Sequence, residues 1–175
     1  MAYTLRQFCA DQHAILTAGA PLADALPRIA EKLSLLLGNP QFVAATFNDD
    51  IPVGKRVLHH DPDTDVYVLA HVQQGGKKGS PHSHGASWAV YGNARAFTDM
   101  TEWRRINPES EAEAVLEPAK RYRMGPGDTY AYGPGVIHST AHPEKAWVIR
   151  VTGTDLDAIP RFRFRPRTDR IVEPA

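Results

Sequence analysis

Residues 81–92 read PHSHGASWAVYG, and residues 127–138 read GDTYAYGPGVIH. Both lie where the hydrophobic period is two and glycines separate short apolar runs. On an extended strand, residues i and i+2 project from one face, so His82 and His84 can turn both imidazoles toward one ion. In the second stretch a turn, a strand, the Pro134-Gly135 corner and a further strand bring His138 back over the first pair. Two histidines from one segment and one from a distant strand place three ligands on one side of a metal. The opposite side stays open for a small molecule or dioxygen. Neutral imidazoles leave a divalent ion its full charge, which favours an anionic substrate such as a thiolate or an enolate.

Strand candidates surround these stretches: Phe42–Phe47, Lys55–His60, Asp65–Val72, Pro81–His84, Ser87–Tyr91, Ala94–Thr98, Glu113–Leu116, Lys120–Met124, Thr129–Tyr132, Val136–His142, Ala146–Thr152 and Arg161–Arg165. No helix-length segment interrupts them, which points to an antiparallel sandwich or barrel. The first 40 residues carry the other period. Leu5, Phe8, Cys9, Ile15 and Leu16 recur at helical spacing before Gly19. Leu22, Leu26, Ile29, Ala30, Leu33 and Leu36 form a second stripe before Gly38 and Pro40, with Pro27 in its early turns. The 175 residues predict one domain, a helical cap over 1–40 on a β body over 41–175.

Composition narrows the function. Lys and Arg number 20 against 20 Asp and Glu, so the chain lacks the basic excess of a dedicated nucleic-acid binder. No apolar run reaches the ~18 residues of a membrane span, and the opening MAYTLRQFCADQH has no basic and apolar signal pattern. Cys9, the only cysteine, can form no internal disulfide. These features predict a cytoplasmic protein, monomeric or homodimeric, acting on a small molecule, with no nucleic-acid or membrane partner.

The chain resembles the cupin superfamily. Its first motif is HxH followed by a Glu and a Gly, and its second is a Gly, then PG, then a His. His82, His84, Gly92, Gly127, Pro134, Gly135 and His138 match. Where the glutamate would stand this chain has Trp88 and Ala89, so the resemblance implies a three-histidine site without carboxylate. That variant is typical of the cysteine dioxygenase-like branch, the thiol dioxygenases, which also carry a helical region before the β body. The resemblance implies a double-stranded β-helix (jelly-roll) barrel, Fe(II), and oxidation of a small thiol to a sulfinate with O2.

It also implies an arginine on an early strand, 26 residues before the first ligand, gripping a substrate carboxylate. Arg56 stands at that spacing, and a guanidinium offers bidentate donors matched to a carboxylate. Arg150, on the strand after His138, is the second choice. The cysteine and tyrosine that crosslink in animal-type enzymes fall at Ala89 and Thr152. Tyr91, Tyr130 or Tyr132 is left to supply a phenol.

Trp88 and Val90 are candidates for the apolar walls of the substrate pocket, although each reads more readily as simple core, and Tyr130, Tyr132 and His142 are candidates for residues behind the ligands. Zinc or manganese is the alternative metal, since three histidines and a water also make a catalytic zinc set. Such an isomerase or hydrolase would want a base, Asp128 or His142, although Asp128 in PGD reads as a turn residue. A cupin that binds a metal or metabolite without catalysis is the third reading. His59, His60 and His71 read as surface positions. The basic, aromatic-interleaved run Arg161–Arg167 reads as a strand burying Phe162 and Phe164 and exposing Arg161, Arg163 and Arg165, not as a nucleic-acid strip.

Overall fold

The computed structural model describes residues 2–111, 113–160 and 162–164. Three helices come first: α1 (Leu5–Thr17), α2 (Leu22–Leu37) and α3 (Pro40–Thr46). Thr4 caps α1 reciprocally. Its hydroxyl accepts from the Gln7 amide, and the Gln7 side chain accepts from the Thr4 N–H. The stripe of α2 is buried from Leu26 and Ile29 to Leu36 and Leu37. Packing holds this helix although Pro27, its sixth residue, removes a backbone donor.

Helix α3 replaces the strand expected over 42–47. Asn39 accepts from the amides of Gln41 and Phe42, and Pro40 takes the first helical position. Apolar content alone does not separate a short helix from a strand, and here the cap decides.

Among the described residues nine strands follow: β1 (Gly54–Asp61), β2 (Val66–Gln73), β3 (Lys77–Lys78), β4 (Ala89–Arg95), β5 (Thr98–Arg105), β6 (Leu116–Met124), β7 (Thr129–Tyr132), β8 (Ile137–His142) and β9 (Ala146–Thr152). They form a five-stranded sheet, β1-β2-β9-β4-β7, and a four-stranded sheet, β3-β8-β5-β6. Every pairing is antiparallel.

Four expected strands change. Residues 94–98 form the end of β4 and a turn in which Ala96 takes φ +57°, and β5 runs on through TDMTEWRR to Arg105. The charged residues of β5 hide its pattern. Glu113–Leu116 and Lys120–Met124 give way to one strand, β6, with a register shift where Trp103 meets Pro118. As an edge strand β6 tolerates that proline. Pro81–His84 is not a ladder strand, since His82 makes only isolated bridges, to His138 and to Arg163.

The five-stranded sheet has two unlike faces. Its outer face places Val68, Ala70, Val72, Val90, Ile149 and Val151 against Phe8, Ile29 and Leu33 of the helices. Its inner face encloses Ala89, Tyr91, Tyr132 and Val148 with Met100 and Met124 of the four-stranded sheet. The motif glycine Gly92 belongs to the outer packing. A Cβ there would stand 2.6 Å from Leu37 Cδ1 and 2.8 Å from Leu33 Cδ2, so glycine is what lets α2 lie on β4.

Gln12 of α1 is fully buried, and among the described residues neither atom of its amide has a hydrogen-bond partner. An unpartnered buried amide costs roughly 1–3 kcal/mol. Gln12→Leu is therefore expected to stabilise the fold by about 1 kcal/mol in urea unfolding at unchanged slope. A lower midpoint would mean that the amide is satisfied in solution.

Among the described residues no helix is long and apolar enough to cross a membrane. Of the strand expected over 161–165, Phe162–Phe164 is described; Arg161 and Arg165 lie outside the described residues. Arg163 is exposed as expected, but Phe162 is 60% exposed rather than buried. The segment pairs with a loop at the sheet margin, and among the described residues nothing covers Phe162.

Candidate metal centre

The segment 81–84 is extended and held from both sides by backbone bonds. On one side His82 N–H donates to the His138 carbonyl and His138 N–H to the His82 carbonyl, both at 2.9 Å. On the other, Ser83 N–H donates to Phe162 O at 3.0 Å and Phe164 N–H to Pro81 O at 2.8 Å. The chain near its C-terminal end thus straps the ligand-bearing segment against β8. The Pro134–Gly135 corner closes the third side, with Gly135 at φ +75° and its N–H donating to Gly85 O at 2.9 Å. The alternation that turns His82 and His84 the same way survives without a regular strand.

The three imidazoles converge. Ring centroids lie 4.6 Å apart for His82 and His138, 4.8 Å for His84 and His138, and 5.5 Å for His82 and His84. One nitrogen from each falls within 4.8 Å of the other two, a spread that one ion can draw together. The Ser80 carbonyl accepts from His82 Nδ1–H at 3.1 Å, which leaves Nε2 with its lone pair. His138 is 0% exposed, and among the described residues neither ring nitrogen has a hydrogen-bond partner. Burial lowers its pKa to about 3, with His82 and Arg150 adding to the effect. A fully buried neutral imidazole with orphan nitrogens is a poor structural element and a good metal ligand. The residues therefore fit a metal.

Tyrosines brace the cluster. The Tyr132 ring stacks on His138 at 4.5 Å, and its hydroxyl shares a 2.5 Å hydrogen bond with Tyr122. Tyr130 stacks on Tyr122 at 4.3 Å, beneath the Lys120 ammonium. Burial pushes the Tyr132 phenol above its ordinary range. Tyr91 is the tyrosine beside both the cluster and the cavity, its hydroxyl 3.4 Å from His84 Nε2. Glu102 stands opposite His138 across β5 and β8, a carboxylate that the motif spacing does not reveal. It is outside the set of donors within 4.8 Å of one another and raises the Tyr122 pKa instead, behind the larger effect of burial.

Next to the histidines lies a cavity of about 120 Å³. The five-stranded sheet lines it with His71, Gln73, Tyr91, Asn93, Val148 and Arg150, the four-stranded sheet with Thr98, Met100, Met124, Thr140 and His142, and His82 completes the wall. Among the described residues no acid lines it and no carboxylate pairs with Arg150, whose Nε is buried without a partner there.

Asn93 Nδ2 donates to Arg95 O and Ala96 O, which aims Oδ1 at the Thr98 hydroxyl. Thr98 then accepts from His142 Nδ1 at 3.3 Å, leaving His142 Nε2 as an acceptor. Burial lowers the pKa of His142, against the opposing charge of Asp99.

Several expected positions move. Arg56 pairs with Ala70 across β1 and β2 and so shares the outward, helix-facing side. Its guanidinium donates to Thr46 O, and it does not line the cavity. Trp88 and Val90 are packed in the core between sheet and helices, not on the cavity wall. Arg150, the second choice, has the opposite parity and lines the cavity.

His71, read as a surface residue, lines it too, because β2 is an interior strand and His71 shares a face with Leu69. The signal was present in VYVLAHV, where His71 falls out of step with Val66, Val68, Ala70 and Val72. His60 is exposed and pairs with Asp65, while His59 is half-buried beside α1. Asp128 closes the turn before β7 by accepting from Gly125 N–H, as its reading predicted.

A second group that could hold an ion, His13, Asp61 and Asp63, lies beside α1. Asp61 there already accepts from His13, Thr64 and the Asp63 amide, which explains its burial by fold alone.

No protein-family model and no curated protein matches this sequence. Solved structures do resemble the chain. A cupin-2 domain protein from Shewanella frigidimarina is 15% identical over 69% of this chain and 95% of its own, with a TM-score of 0.45. A cupin superfamily protein from Desulfitobacterium hafniense is 12% identical over 65% of this chain and 87% of its own, with a TM-score of 0.45. A DMSP lyase from Ruegeria pomeroyi is 12% identical over 69% of this chain and 57% of its own, with a TM-score of 0.47. The fold itself is a β body of two antiparallel sheets with a helical cap.

Proposed function

We propose that this protein is an Fe(II)-dependent dioxygenase that converts a small thiol bearing a carboxylate into the corresponding sulfinate. The reading is supported by one juxtaposition: three converging histidines with no carboxylate among their donor set, beside a small cavity whose only permanent charge among the described residues is an unpaired arginine. Both atoms of O2 end on sulfur, RSH + O2 giving RSO2H, so no further reductant is needed. His82, His84 and His138 would hold the iron, which supplies the electron exchange with O2 that the side chains cannot perform.

The chain's own groups do the rest. Arg150 holds the carboxylate by charge-assisted bonds and so fixes which end of the substrate points at the histidines. Met100, Met124 and Val148 give the cavity apolar walls that keep bulk water from the sulfur. Tyr91 offers a hydroxyl beside His84, in reach of a group bound at the histidines. A cavity of about 120 Å³ has room for a small molecule.

Oxygen uptake by the iron-loaded protein is expected on 3-mercaptopropionate or cysteine, one O2 per sulfinate by mass spectrometry. Purification with stoichiometric zinc and no oxygen consumed on any thiol would overturn the reading in favour of a redox-inert cupin.

A further inference from the structure

The geometry points to His71 as the second half of an anion subsite with Arg150, the pair reading a carboxylate in the cavity beside the metal ligands. This deepens the proposed function and rests on it for the identity of the substrate.

The register of β2 and β9 puts the two residues together. Leu69 faces Arg150 and His71 faces Val148, so His71 and Arg150 are diagonal neighbours on one face. Diagonal pairs on a sheet are near enough for long side chains to act on one group. Both side chains line the cavity, and each has a buried nitrogen without a partner among the described residues, Nε2 of His71 and Nε of Arg150.

Orphan donors of this kind are expensive, and two on adjacent strands, in a cavity that no acid lines among the described residues, describe a pocket built for an anion. His71 is held neutral by its burial, then by Arg150 and Lys55, with its pKa lowered to about 3. It therefore adds a hydrogen-bond donor without a second charge, through the tautomer that carries its proton on Nε2. A planar carboxylate fits that combination: one oxygen on the guanidinium and the other on the imidazole.

The test uses the full chain without metal, so its outcome does not depend on iron or on oxidation. Binding of propionate and of its neutral isostere propionamide is measured by NMR titration. Wild type is expected to bind propionate at least tenfold more tightly than propionamide. His71→Leu is expected to weaken propionate about tenfold and leave propionamide unchanged. His71→Gln, whose amide N–H reaches a similar point, is expected to stay within about threefold of wild type.

Equal propionate binding by His71→Leu and wild type would overturn the role of His71. Equal binding of both ligands by wild type would overturn the subsite. Should His71→Leu fail to fold, the Gln variant and the wild-type preference decide the matter. A failure of the iron reading shows separately, as missing iron and oxygen uptake, and leaves this result standing.

Discussion

Replacing His84 by alanine is expected to remove the metal from a protein that keeps its fold. His84 is 2% exposed, and it sits next to Gly85, whose carbonyl ties the Pro134–Gly135 corner to the ligand segment. The backbone bonds that hold residues 81–84 against β8 do not use its side chain, so the segment stays in place. Substitution of partners behind a ligand commonly costs 10–100-fold in affinity, so loss of a ligand should cost at least about a hundredfold. Metal analysis after gel filtration, with circular dichroism as the control on fold, reads this directly. Unchanged metal content in His84→Ala would remove it from the ligand set.

The second large effect separates two arginines. Arg150→Gln is expected to raise the apparent KM for a thiol carboxylate about 10–100-fold, the loss of a charge-assisted pair, with iron content unchanged. On a thiol without a carboxylate, such as cysteamine, the same variant should act within about threefold of wild type. Arg56→Ala should leave both constants within about twofold, because Arg56 is on the helix-facing side and donates to Thr46 O. Steady-state oxygen uptake on both substrates checks all these outcomes. A large KM effect at Arg56 with none at Arg150 would reverse the assignment.

These two residues mark where sequence reasoning holds and where it stops. The ligands were legible because HxH on extended backbone and PG before a third histidine are local geometry, and local geometry survives even where the strand turns out to be a strapped loop. The cap was legible for the same reason, a run of leucines at helical spacing.

Arg56 was not, since its spacing from His82 carries no information about which face of β1 it occupies. That depends on pairing with β2 and on a register shift between Val57 and His59. Trp88 and Val90, open between pocket wall and core in the sequence, fall in the core: their neighbour Tyr91 faces the cavity, and a shift of one residue along a strand sends a side chain to the other side of the sheet. His71, Thr98 and Asn93 meet only when two sheets close on each other, a long-range event with no short-range signature. Strap residues 162–164 belong with these, because their partners lie some 80 residues earlier in the chain.

The central claim is a single metal ion held by three histidines inside the barrel. Crystals grown anaerobically with Fe(II), measured at the iron absorption edge, test it most directly through an anomalous difference map. The account expects one peak, about 2.0–2.3 Å from a ring nitrogen of each of His82, His84 and His138. No peak there, or a peak at His13, Asp61 and Asp63 instead, would contradict it.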